Sequence, residues 1–342
     1  MNPFAKYTRH MLKPRSWYRL LTHVAAAPRR AMLSGKLAQQ KQQRASQSYD
    51  PAPRVAAVLQ FFNKRSNIPM LWRGLEAAGF DEIIVMDDGS VDGSSTEWQA
   101  LLTRPNHFLF RSNDLFEIIT YDRAVRHSNA EIVCLLQDDD KLPANGRWVE
   151  RALELFDTFP DLVILGGFRT VEVMPRTEGP VAETMVLEID GDVESVQGLF
   201  AHRSASLPAA TASPSGIPDF YFTMSAVRAP VFIRREAFIA LGGFDLGFAP
   251  FLCDDVDNGI RAWKAGRQVG IYAVDFQRDI GLGGMRAFNS KRIERQVRIN
   301  WEKVYQKHGE AIDSGEIAAM VERANRLTRD AQPGDQPGSF DT

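Results

Sequence analysis

Three short acidic runs carry most of the chemistry this chain of 342 residues can offer: Asp87-Asp88-Gly89-Ser90, Gln137-Asp138-Asp139-Asp140 and Asp254-Asp255-Val256-Asp257. Carboxylates at such positions can accept hydrogen bonds from a base or ribose, hold a hard divalent cation, or take a proton from an attacking hydroxyl. In the second run three consecutive carboxylates repel one another, and crowding them beside a buried strand is costly unless a cation neutralises them. Mg²⁺ or Mn²⁺ suits that need, taking one or two carboxylates and completing its shell with water and phosphate oxygens. Each run also has a plain structural account: an Asp-Gly turn for the first, a solvated acidic turn for the second, and acidic residues favoured at a helix start for the third. Other familiar chemistries lack their residues. There is no GxxxxGK[ST] loop, no GxGxxG after the first strand, no GxSxG, no HExxH and no CxxC, and the six His are scattered.

The elements that must position these runs can be read from hydrophobic periodicity. Val55 to Leu59 is a short apolar run, a buried strand. Ile68, Leu71, Trp72, Leu75 and Ala78 recur at helical spacing and stop at Gly79, and Ile83 to Met86 is the next strand. The pattern continues with a strand at 107–110, a helix around 118–127, a strand at 131–136, a helix at 147–159 and a strand at 162–165. Strands at 231–233 and 269–272 then flank a helix at 256–265. Such alternation predicts a mostly parallel open α/β sheet with helices on both faces. The first two acidic runs then fall at carboxyl ends of strands, where ligands bind in open α/β sheets. Gly89 would let backbone approach a ligand there. Residues 171–220 break the rhythm and predict a long excursion over one end of the sheet, and 332–342 read as a polar tail.

Composition narrows the class. At 44% hydrophobic and 25% charged, the chain matches a globular protein, and its apolar runs are far shorter than the roughly 20 residues of a spanning helix. Cys134 and Cys253 form no disulfide framework. Residues 1–49 hold ten Lys or Arg and no Asp or Glu, while the rest carries 31 basic and 43 acidic side chains, a net −12. Such an arm fits a short amphipathic helix on an anionic membrane surface, a solvated tail, or an Arg-rich transit segment. These three readings stay open. An acidic body opposes a phosphate backbone, so nucleic acid is not an expected partner.

Taken in order, these motifs are similar to those of the family 2 glycosyltransferases, enzymes of the GT-A fold that use nucleotide-diphosphate sugars. The resemblance covers about residues 54–310. It rests on Gln60-Phe61-Phe62-Asn63 after strand one, Asp87-Asp88-Gly89-Ser90 after strand two, Gln137-Asp138-Asp139-Asp140 after a later strand, and Gly242-Gly243-Phe244-Asp245 ahead of Asp254-Asp255-Val256-Asp257 and Arg261. It implies that Gln60 and Phe62 flank the nucleobase, that Asp88 holds its imide N–H, that Asp138 reaches the ribose and that Asp139 binds Mn²⁺ or Mg²⁺ on the diphosphate. Asp255 matches the general base, with Asp254 beside it, and Gly243, Phe244 and Asp245 would face the acceptor. Gln137 stands where the family's Asp-x-Asp begins. No His lies between His202 and His308, so Arg278, or Arg286 beyond Gly283-Gly284, is assigned to the donor phosphate in place of the family's His.

The expected organisation is a basic arm and linker at 1–53, a GT-A domain at 54–310, and a C-terminal helix and tail at 311–342. The expected activity is inverting transfer of a sugar to a saccharide or lipid-linked acceptor, in polysaccharide assembly. The expected location is cytoplasmic, with peripheral contact on the inner face of the membrane through residues 1–49. Two rivals remain. A sugar nucleotidyltransferase would want a Gly-rich loop after strand one, and Gln60 to Asn67 contains no Gly. An inactive nucleotide-sugar-binding or scaffolding module would account for Gln137 and the missing His.

Overall fold

The computed structural model describes residues 52–167, 169–175, 194–195, 202–206, 213–228, 230–276 and 290–331, with scattered positions between 28 and 39. Arg278, Arg286, most of the basic arm and the tail at 332–342 lie outside the described residues, as does most of the 171–220 excursion. The chain divides into two units, Met1–Ala52 and Pro53–Thr342. Among the described residues no helix is long and apolar enough to cross a membrane.

The second unit is built on an eight-stranded sheet. Strands β1 (Val55–Phe61), β2 (Glu82–Asp87), β3 (His107–Arg111) and β4 (Ile132–Gln137) run parallel, in the order β3-β2-β1-β4. The sheet continues through β10 (Val231–Arg234), β5 (Leu162–Gly167), β11 (Gln268–Tyr272) and β9 (Phe220–Phe222). Here β10 is antiparallel to both β4 and β5, and β9 is antiparallel to β11. A small antiparallel sheet of β6 (Arg169–Val173), β8 (His202–Ser206) and β7 (Glu194–Ser195) lies within the predicted excursion.

Strand β2 is buried along its whole length, and β1 and β4 at all but one position each. Side chains alternate between faces, so continuous burial requires cover on both sides of the sheet. That cover comes from α1 (Ile68–Ala78), α2 (Ser94–Leu101), α3 (Phe116–His127), α4 (Arg147–Thr158), α5 (Arg235–Ala240) and α6 (Asp254–Lys264). The chain leaves α1 through Gly79, whose φ of 72° is the left-handed conformation that a non-glycine residue adopts only with strain. Two further helices, α7 (Ser290–Asp313) and α8 (Glu316–Ala331), pack as a hairpin, with α8 also against β9 and α6.

Candidate active site

The register of the sheet brings the first two motifs to one edge. Gln60 pairs with Gln137 across β1 and β4, and Phe61 pairs with Asp87 across β1 and β2, so the loops carrying Phe62, Asp88 and Asp138 leave neighbouring strands at the same end. They are stitched together. The Phe62 amide donates to Asp138 Oδ2 at 2.7 Å, the Asn67 side-chain amide donates to the Asp138 carbonyl at 2.9 Å, and the Asn63 amide donates to Ser90 Oγ at 2.9 Å.

The acidic crowding after β4 is met by a residue the sequence reading did not single out. The Lys64 ammonium lies 3.2 Å from Asp138 Oδ1 and 2.9 Å from Asp139 Oδ2, with the three side chains only 7%, 6% and 14% exposed. Burial pushes Asp138 up to about 6 despite Lys64, helped by the adjacent Asp139 charge. Asp140 turns back and accepts from the Gln137 amide at 2.9 Å. Among the described residues no group of three or more potential ligands forms a protein cage for a metal. A single carboxylate is nevertheless a fitting donor for a hard divalent ion whose other ligands are phosphate oxygens and water. Asp139 meets that requirement, being the most exposed of the trio and paired only through Oδ2, while one ammonium leaves three carboxylates under-neutralised.

Asp88 is fully buried, and its carboxylate accepts from Ser112 Oγ at 2.7 Å and from the Leu115 and Phe116 amides at 2.9 and 2.8 Å. The residue expected at a nucleobase thus has its carboxylate engaged with protein, its hydrogen bonds holding the β3–α3 loop and the start of α3. Gly89 serves the same loop. It sits at φ 95°, and a Cβ there would meet Asn113 Oδ1 at 2.7 Å, so it makes room for protein rather than ligand. Asp87 caps the following turn by accepting from the Ser90 amide at 2.8 Å.

The start of α3 then reaches the third acidic run. The Phe116 ring lies 6.0 Å from that of Phe251, and the Ile118 amide donates to the Pro250 carbonyl at 3.4 Å. Glu117, in the first turn, pairs with Arg228 at 3.3 Å, and the Arg228 fork engages both oxygens of Asp254. The guanidinium lies 5.0 Å over the Tyr121 ring. Asp254 is 1% exposed, whereas Asp255 is only partly buried. Among the described residues Asp255 has no ion pair, its one hydrogen bond coming from the Val256 amide at 2.9 Å. Loss of water contact pushes Asp255 up to about 6, and the Asp254 charge adds to the rise while Arg228 limits it. Burial likewise raises Glu117, and the Asp254 and Asp139 charges both contribute. The charge of Asp139 thus acts on the residue that holds Arg228, which puts the second and third acidic runs within electrostatic reach of each other.

Helix α7 braces this end. The Asn300 amide donates to the Phe248, Phe251 and Leu252 carbonyls at 2.9, 2.8 and 3.0 Å, fixing the loop before α6. Asp257 faces His308 Nε2 at 2.9 Å and Arg261 Nε at 2.7 Å, and also pairs with Lys307. Burial opposes its charge, yet these partners hold it at about 2. The only His after His202 thus serves packing between helices.

The residues expected to face the acceptor, Gly243, Phe244 and Asp245, lie on the turn after α5. Gly243 has φ 72°, and a Cβ there would strike Arg126 and Asp122 at 2.5 and 2.6 Å. Phe244 is 4% exposed, with its ring 5.0 Å from Phe238 and 5.9 Å from the Arg228 guanidinium. The Asp245 carboxylate accepts from the Gly247 amide at 2.7 Å and pairs with Lys307 at 2.7 Å. Phe244 thus packs behind Arg228, while Asp245 keeps a partly exposed carboxylate.

Comparison with known proteins agrees with this architecture. The family description Glycosyl transferase family 2 matches residues 57–234, about half of the chain, covering the loops after β1, β2 and β4 and Arg228 but not Asp255. No curated protein matches the chain closely enough to serve as a relative. Among solved structures, GalNAc-T7 with UDP, GalNAc and Mn²⁺ aligns at 11% identity with a TM-score of 0.52, covering 75% of this chain and 48% of that one. TarS 1–349 of S. aureus in complex with UDP-GlcNAc aligns at 15% identity with a TM-score of 0.46, covering 78% and 72%. The chain thus spans about half of the GalNAc-T7 chain. The likeness at 0.52 is one of fold, and the eight-stranded open sheet is of the GT-A type.

Proposed function

The chain belongs to glycosyl transferase family 2 and is a glycosyltransferase, and from that premise we propose that it moves a sugar from a nucleoside-diphosphate donor to a hydroxyl acceptor with inversion, using Asp255 as general base. The observation that carries this reading is the bridge across the crevice. Asp88 anchors the start of α3 on the donor side, and Glu117, one residue beyond the anchored Phe116 amide, reaches through Arg228 to Asp254 on the base side.

In this reading the nucleoside lies over the ends of β1, β2 and β4, against Gln60 and Phe62, with Asp138 near the ribose. Lys64 and Asp139 face the diphosphate. Asp139 would hold Mn²⁺ or Mg²⁺, which when bound offsets the charge growing on the leaving diphosphate. An inverting displacement needs a carboxylate on the opposite face of the sugar to take the acceptor proton. Asp255 suits that step because it is partly exposed, free of a cation of its own among the described residues, and raised to about 6, ionised but basic near neutral pH. The 242–245 turn shapes the wall of that side through Phe244, and the acceptor is a saccharide or lipid-linked hydroxyl. In the same reading the transferase unit starts at Pro53 and includes the α7–α8 hairpin, and the basic segment ahead of it would contact an anionic membrane surface.

The test is a thermal-shift panel of UDP-GlcNAc, UDP-GalNAc and other nucleotide sugars with and without Mn²⁺, on the wild type and Asp139→Asn. A ligand that binds the native state raises the melting temperature. One donor should stabilise the wild type more strongly with Mn²⁺, and Asp139→Asn should lose the metal-dependent part. Indifference to every nucleotide sugar would overturn the reading.

A further inference from the structure

Asp254 and Asp255 are adjacent acids at one helix start, yet their surroundings differ, and the difference traces to a residue 26 positions upstream. Arg228 is 10% exposed and forks onto both oxygens of Asp254, while its Nη2 also meets Glu117 at 3.3 Å. Tyr121 lies under it at 5.0 Å, fixed by donation from its hydroxyl to the Leu136 carbonyl of β4 at 2.7 Å. Arg228 and Asp255 line the same small cavity, with Phe244 and Asn258.

We propose that Arg228 is a positioning residue for transfer: by taking the Asp254 carboxylate as a fork it neutralises the neighbour, turns it away from the crevice, and leaves Asp255 as the carboxylate of the pair available to the acceptor hydroxyl. This rests on the assignment of Asp255 as general base. Two adjacent unpaired carboxylates at one site cannot both ionise cheaply, and the proton they shared would sit on the base for part of the time. A guanidinium, always charged and planar, suits the task better than an ammonium that could wander between the two acids. Glu117 balances the second edge of Arg228 and keeps it on the Asp254 side.

Among the described residues the charged and titratable groups facing Asp255 are few. They are Asp254 on its own helix, Arg228 from the segment before β10, Cys253 from the preceding loop, and through Arg228 the Glu117 and Tyr121 side chains of α3. The Arg228 and Asp254 charges can each be removed, so their two effects on Asp255 are separable in sign. Removing the Arg228 charge disfavours ionised Asp255, and removing the Asp254 charge favours it.

The experiment is the pH dependence of UDP release from UDP-GlcNAc or UDP-GalNAc by the full chain. The wild type should show an acid limb near pH 6 that Asp255→Asn abolishes. Arg228→Met should move the limb upward by about one pH unit, a loss of about fivefold at pH 6, with a smaller change on the plateau. Arg228→Lys should restore most of the limb position but less of the plateau. Leaving Asp254 buried without a partner can unfold the Met variant, so Asp254→Asn is compared with the charge-balanced Asp254→Asn/Arg228→Met pair. The single change should place the limb below wild type and the double change above the single. An unmoved limb in the Met variant, or coincident limbs in the Asn pair, with only the plateau lowered, would make Arg228 a packing residue and overturn the proposal. A wild-type limb that survives in Asp255→Asn would overturn the base assignment, and this proposal with it.

Discussion

The crevice has two acidic poles, and each is met by one buried cation in a different way. After β4, the compact Lys64 ammonium bridges two carboxylates, Asp138 and Asp139, and belongs to neither alone. At the start of α6, the flat Arg228 fork takes Asp254 entirely and gives Asp255 nothing but a distant field. A bridge shares neutralisation and leaves a site that can still accept a cation, whereas a fork divides a pair into a spectator and a reactive group. Under the proposed function the same sequence feature, adjacent aspartates beside a buried element, would yield a charge-binding pole in one place and a proton-accepting pole in the other.

Breaking the base pole should have the largest effect. Asp255→Asn keeps the shape and removes the proton acceptor, so UDP release and transfer should fall by roughly 10²- to 10⁴-fold with donor affinity intact. Breaking the donor pole comes next. Lys64→Met strands two carboxylates that are 6% and 14% exposed, and should cost about 3 kcal/mol of stability in urea unfolding, with Mn²⁺ restoring part of it. A loss under about 1 kcal/mol would mean that the bridge is not what relieves the crowding.

A sharper comparison lies within α6 itself. Asp257, two residues beyond the base, is held at about 2 rather than about 6 because His308, Arg261 and Lys307 surround it. Its folded value lies below the ordinary 3.8, so its contribution is present above pH 4 and lost as pH falls towards 2. That contribution is on the order of 2 kcal/mol, and acid unfolding of Asp257→Asn should show a correspondingly shallower loss over that window. The smallest effect serves as a control. Glu154→Ala removes a solvent-exposed partner of Arg151 and should change stability by less than about 0.5 kcal/mol.

The sequence was most legible where structure is local. The helix from Ile68 to Ala78 and the strands around Val58, Ile84 and Leu135 follow from apolar spacing and from Gly79, because those signals act within a few residues. The antiparallel insertion of β10 between β4 and β5, and the three-residue β9 at the end of the supposed excursion, depend on pairing with distant strands and leave no local trace. The site divides the same way. Acidic runs at strand ends could be read directly, but the direction in which Asp88 turns is decided by amides 27 and 28 residues away. Lys64 and Arg228 are single basic residues in loops, and Asn300 is one polar residue in a helix the periodicity did not single out; each gains meaning only from what the fold places against it. Phe244 is placed at the acceptor by resemblance alone, and nothing local shows that Gly243 beside it makes room for Arg126 and Asp122.

The most direct test of the two-pole account is a paired measurement on wild type and Asp255→Asn: the pH profile of UDP release from the stabilising UDP-sugar, with donor affinity measured on the same samples. The account predicts an acid limb near pH 6 in the wild type, a rate at least 100-fold lower and without that limb in the variant, and unchanged affinity. A variant that binds the donor and releases UDP at the wild-type rate would contradict it.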